Sequence, residues 1–66
     1  MPNTIDELAK MLAKRDGITY NEEMNVISMC IEDIHNAIGR GRYFEAEDIL
    51  RDYLGLEPDY LEILIL

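Results

Sequence analysis

The chain has 66 residues, a mass of 7.7 kDa and a formal net charge of −8, with a single Cys, a single His and no Trp. That length admits one helical domain, residues 1–66, and excludes a multi-domain enzyme. Surface scaling gives ~11,000 Å² for the unfolded chain and ~4,300 Å² for the folded one, a burial of about three-fifths that leaves a lone monomer near the margin of stability. One Cys and one His supply neither an intrachain disulfide nor a zinc cage. Reinforcement is therefore expected from partner subunits, in a symmetric homodimer or a ring.

Hydrophobic residues make up 48% of the sequence and charged residues 30%, a balance that excludes a disordered chain despite the net charge. Met1 to Asp6 has no basic stretch leading into an apolar core, so it does not read as a secretory signal. The longest apolar run, Ile63 to Leu66, is far too short to span a bilayer. A solitary Cys30 suits a reducing compartment, and the expected location is the cytoplasm.

Thr4 followed by Glu7 has the capping-box pattern, and Ile5, Leu8, Ala9 and Leu12 recur at helical spacing, which predicts helix one over about Ile5 to Arg15. Asp6 and Glu7 fall in its first turn, Lys14 and Arg15 in its last, as the helix dipole prefers. Thr19 and Glu22 repeat the capping pattern. Tyr20, Met24, Ile27, Ile31, Ile34 and Ile38 then alternate at spacings of four and three, the seam of a long amphipathic helix two, with Cys30 and Ala37 on its flank and Met29 on the opposite side.

Gly39-Arg40-Gly41-Arg42 breaks the pattern, and Tyr43, Ala46, Ile49, Leu50, Tyr53 and Leu54 predict helix three over about Tyr43 to Leu54. Phe44 falls off its apolar face. Gly55 offers a left-handed stop, with Leu56 folding back on Leu50 as in a Schellman motif. Pro58 suits the start of a short fourth helix, with strand as the competing reading of the Ile-rich segment Glu62 to Leu66. The expected fold is all-α, a small bundle of three main helices plus a short C-terminal one, with helices two and three as an antiparallel pair. Its expected core is Ile5, Leu8, Leu12, Met24, Ile27, Ile31, Ile34, Ile38, Ala46, Ile49, Leu50, Tyr53 and Leu54.

Charge is unevenly spread. Residues 1–17 are neutral, residues 18–38 carry four acids and no Lys or Arg, residues 39–44 add Arg40 and Arg42, and residues 45–66 set seven acids against Arg51. Such a chain repels phosphate backbones, so direct binding of duplex nucleic acid is not expected and a basic protein partner is. Chemistry-bearing constellations are few. Glu32 and His35 have the Glu-x-x-His spacing of carboxylate-bridged metal bundles, but helical angles turn Glu32 away from the isoleucine seam, whereas bundle ligands must project inward. Cys30 reads as a small core residue, and no P-loop or dinucleotide glycine pattern is present. Neither an enzyme nor a cofactor is expected. The turn Gly39 to Phe44 sets Arg40 and Arg42 before a helix N-terminus with Tyr43 and Phe44 as ring faces, an arrangement that suits an anion with a base.

From Gly41 to Glu62 the text Gly-Arg-Tyr-Phe-Glu-Ala-Glu-Asp-Ile-Leu-Arg-Asp-Tyr-Leu-Gly-Leu-Glu-Pro-Asp-Tyr-Leu-Glu, together with Arg15-Asp16-Gly17-Ile18-Thr19, resembles small helical proteins of unknown function from bacterial phages and mobile elements. The resemblance covers about half the chain and rests on capping and packing motifs. It implies a phage or mobile-element origin. At family level it also implies an inhibitor of host immunity, which blocks a nuclease or sequesters a signalling nucleotide.

The leading expectation is thus a non-enzymatic inhibitor that binds a host defence protein through an acidic surface formed by Glu22, Glu32, Asp33, Glu45, Asp48 and Asp52. The alternative is an oligomer that sequesters a cyclic nucleotide at subunit boundaries through Arg40, Arg42 and Tyr43, with Lys10, Lys14 or Arg15 in support. The expected subunit interface uses Met29, Phe44, Leu61, Ile63, Leu64, Ile65 and Leu66.

Overall fold

The computed structural model describes residues 2–65, and helices account for most of them: α1 (Ile5–Asp16), α2 (Tyr20–Gly39), α3 (Tyr43–Leu54) and α4 (Leu61–Ile65), the last entered through a 3-10 turn at Pro58–Tyr60. No strand occurs among the described residues, so the C-terminal segment is helical as far as Ile65. No helix among them is long and apolar enough to cross a membrane.

Local chemistry sets the helix ends. At Thr19 the capping box is complete: the Glu22 N–H donates to Thr19 Oγ1 at 3.1 Å and the Thr19 N–H donates to Glu22 Oε1 at 3.0 Å. At Thr4 it is half realised, because Glu7 Oε1 accepts from the Thr4 hydroxyl at 3.2 Å instead of from its backbone. The end of α2 is a full Schellman motif around Gly41 (φ +73), in which the Gly41 N–H donates to the Ile38 carbonyl and the Arg42 N–H to the Ala37 carbonyl, both at 2.9 Å. At the end of α3 the expected Schellman motif is replaced by the simpler left-handed cap, a single bond of 2.8 Å from the Gly55 N–H to the Arg51 carbonyl. Leu56 still turns inward and is buried.

Packing departs from the expected seam. The buried positions of α2 are Glu23, Ile27, Cys30, Ile34 and Ala37, whereas Met24, Ile31 and Ile38 are half-buried and Tyr20 is exposed. At 100° per residue the buried arc is turned by about 60° from the stripe of large residues. The reason lies in the close packing of α2 on α3. Cys30 and Ala37 of α2 share one buried cluster with Ala46 of α3, and small side chains at the contact let two helix axes approach. Met24, Ile31 and Ile38 then lie on the shoulder, packed against the edge of that cluster. Ile49 is half-buried for the same reason, and Tyr53 is exposed with its hydroxyl donating to Asp33 Oδ2 at 2.6 Å across the α2–α3 seam.

Around this pair, α1 contributes Leu8, Ala9 and Leu12 to the core. It is also tied to the far end of α3, where Arg15 Nη2 donates to the Leu54 carbonyl at 2.7 Å, one of the carbonyls a helix C-terminus leaves unpaired. Leu61 and Leu64 of α4 are buried. They were expected between subunits, but their spacing of three puts both on the inner side of one turn, where they close the core of their own chain. Ile63 and Ile65 are half-buried, and Leu66 lies outside the described residues. The accessible surface of 4424 Å² is close to the ~4,300 Å² that scaling assigns to a folded monomer of this mass.

Leu64→Ala is expected to lower the unfolding free energy by about 2–4 kcal/mol, and Phe44→Ala to change it by no more than about 0.5 kcal/mol, in urea denaturation followed by circular dichroism. Equal losses for the two would contradict the docking of α4. Arg15→Ala is expected to cost about 1–2 kcal/mol and to speed amide exchange first at Gly55 and Leu56.

Candidate functional site

The six acids expected to form one surface are placed in three different settings. Glu45, Asp48 and Asp52 follow each other at intervals of three and four along the solvent face of α3, and all are exposed. Arg42 Nη1 lies 3.4 Å from Glu45, and Arg51 stands between Asp48 at 3.1 Å and Asp52 at 3.7 Å. Exposed pairs of this kind contribute at most about 1 kcal/mol, so they exchange readily for an external cation. Glu22 is committed to the α2 cap, where the Thr19 backbone N–H holds its carboxyl below the usual range. Asp33 is half-buried and occupied by the Tyr53 hydroxyl. Glu32 is exposed, as is His35 one turn on, and neither has a side-chain partner among the described residues.

Two acids outside the expected set prove better placed. Glu47 and Glu57 line an open cleft of about 320 Å³ between α3 and the turn that follows it, together with Asp48, Arg51, Gly55, Leu56 and Pro58. Neither has a cationic partner among the described residues. The spacing of Glu47, Asp48 and Arg51 does mark a shared helix face. The opposing wall exists only because the Gly55 cap turns Leu56, Glu57 and Pro58 back over α3.

Arg40 and Arg42 lie in the α2–α3 turn and Tyr43 opens α3, all three exposed. Arg42 already faces Glu45, Lys10 pairs with Asp6 at 3.1 Å, and Arg15 is held by Asp16 at 2.8 Å and by the Leu54 carbonyl. Lys14 is exposed on α1 with no ion pair among the described residues. Of the expected interface, Met29 and Phe44 are exposed, the latter at 85% of its surface.

Cys30 is buried, and burial pushes its thiol up to about 11, which keeps it protonated at neutral pH. No group of three or more His, Cys, Asp or Glu that could hold a metal ion occurs among the described residues. Glu23 is the one buried charged residue among them, 1% exposed, with Oε2 lacking any hydrogen-bond partner. Burial raises its pKa and nearby Asp16 adds to the rise, with Arg15 opposing both. Sequence reasoning missed it because Glu23 follows the cap residue Glu22 and reads as another first-turn acid.

Comparison with known proteins finds no family model, no curated protein and no solved structure that matches the chain.

Glu23 generates a pH prediction. Its folded-state pKa lies above the ordinary 4.5, so its stabilising effect is complete below that value and is lost as pH rises through the folded pKa. Glu23→Gln is therefore expected to raise stability at pH 7 by about 1 kcal/mol, with the gap to the parent chain closing below pH 4.5. A gap of constant size from pH 4 to pH 8 would refute it.

Proposed function

We propose that the chain is a non-enzymatic, acidic protein-binding module, made by a phage or mobile element and acting in the bacterial cytoplasm on a host defence protein. The observation that carries this reading is the solvent face of α3 and its extension: Glu45, Asp48 and Asp52 in one exposed stripe, flanked by Glu47 and Glu57. The cations paired with the stripe, Arg42 and Arg51, are held in exposed and readily broken pairs. A field of one sign on one side of a small rigid domain steers a basic partner and rejects polyanions. The origin in a phage or mobile element rests on the resemblance of residues 41–62 and 15–19. The antiparallel arrangement of α2 and α3 is part of the same proposal, supported by the short turn between them and by the Tyr53–Asp33 hydrogen bond. We propose homo-oligomers as well, through the exposed Met29, with Phe44 left to the acidic face of α3. The alternative of a cyclic-nucleotide sponge is supported by the grouping of Arg40, Arg42 and Tyr43 alone, and it stays second because Arg42 already faces Glu45.

The experiment is capture from bacterial lysate on the immobilised chain, followed by binding kinetics with the recovered protein. A single basic partner is expected. Its association should slow about tenfold or more between low and physiological salt, and again in the triple variant Glu45→Lys, Asp48→Lys, Asp52→Lys. Recovery of nothing but the chain itself would sink the proposal.

A further inference from the structure

We infer that the cleft between α3 and residues 55–58, with the exposed ring of Phe44 one helical turn from its Glu47 and Asp48, is a docking site for a basic segment of a protein partner, taking a Lys or Arg side chain in the cleft and an apolar neighbour on Phe44. The inference rests on the reading of the chain as an acidic protein-binding module and names the part of its surface that makes the contact.

The cleft volume of about 320 Å³ is at the small end of ligand sites, roughly 300–1,000 Å³, which suits one or two side chains. Its charge is lopsided. Glu47, Asp48 and Glu57 face it against the single guanidinium of Arg51, and that guanidinium is already shared between Asp48 at 3.1 Å and Asp52 at 3.7 Å. Glu47 and Glu57 are left to attract a cation from outside. The remaining wall, Gly55, Leu56 and Pro58, is apolar side chain and backbone, the surface along which the alkyl stem of a Lys or Arg packs while its head reaches a carboxylate.

Phe44 supplies the second half of the site. It precedes Glu47 and Asp48 by three and four residues and so shares their helix face, one turn away. At 85% exposure it has the most exposed large apolar side chain among the described residues. A ring in that position holds nothing of the fold in place, yet it offers an apolar anchor and a cation–π face to a partner. The occupant is set by charge. A second copy of this chain would bring its own Glu47 and Glu57, and a further net charge of −8, to a site that is already negative. A basic segment neutralises it.

The test uses the full chain labelled with nitrogen-15, titrated with a short peptide of alternating Arg and Leu and with a control in which citrulline replaces every Arg. Saturable shifts are expected at the amides of Phe44, Glu47, Arg51, Gly55 and Leu56 with the Arg peptide alone. The double variant Glu47→Gln, Glu57→Gln should bind about tenfold or more weakly and Phe44→Ala about three- to tenfold more weakly. Removing two acids outside the cleft, Glu32→Gln with Glu62→Gln, should weaken binding less than about threefold. Arg51→Ala should tighten it, because the cleft loses the cation that lines it. The inference is overturned by an absence of saturable shifts at those amides, by unchanged affinity in the Glu47/Glu57 variant, or by weaker binding in Arg51→Ala, which would indicate an anionic guest. It is also overturned if a captured protein partner binds that double variant and Phe44→Ala as tightly as the parent chain, a result that leaves the acidic-module reading intact. Peptide bound in the cleft with no protein captured from lysate would strike at the broader reading alone.

Discussion

The close approach of α2 to α3 is the constraint on which the rest of the molecule depends. It is made possible by three small side chains, Cys30, Ala37 and Ala46, all buried in one cluster. Where two helices meet through small residues, their axes come together and the larger neighbours are displaced to the sides. That displacement turns the inner face of α2 toward Ile27 and Ile34, leaves Ile31 and Ile38 half-buried on the shoulder, and carries Glu23 into the interior. It also decides which face of α3 looks outward, and with it the positions of Phe44, Glu47 and Asp48.

Glu23 is the visible cost of this arrangement. A carboxylate oxygen without a partner in a buried site destabilises the charged form, and the cation best able to answer it, Arg15, is engaged with Asp16 and with the Leu54 carbonyl. The same Arg15 joins α1 to the end of α3, so one guanidinium spans the junction of two helices. Elsewhere the cations are spent close to home, Lys10 on Asp6, Arg42 on Glu45 and Arg51 on Asp48 and Asp52. With only six basic residues against fourteen acids, this local pairing leaves the surplus of negative charge on α2 and on α3 with the turn beyond it.

Much of the candidate site was hidden from a linear reading for a physical reason. Exposure of Glu45, Asp48 and Asp52 follows from helical spacing alone, since each lies opposite the stripe of Ala46, Leu50 and Leu54. The cleft does not follow, because its two walls are joined through a left-handed cap at Gly55 whose direction is set by the burial of Leu56 against the core. Glu22 and Asp33 were legible as acids but not as acids already in use, the one by a cap and the other by a tyrosine twenty residues away. The apolar tail misled in the opposite sense. A run of aliphatic residues signals something to be covered, and spacing could not say whether the cover is a second chain or the first.

Three main helices, their starts at residues 5, 20 and 43, and the stops at Gly17 and Gly55 were determined by the sequence itself. Each depends on a cap, a break or a period that acts within a few neighbouring residues. The rotation of α2 about its axis, the burial of Glu23, the inward fold of Leu61 and Leu64 and the cleft beneath Gly55 were decided only in the tertiary structure. Periodicity weighs residues by hydrophobicity, and the large isoleucines dominate it. Packing is decided by how closely two surfaces can approach, which here the small residues govern.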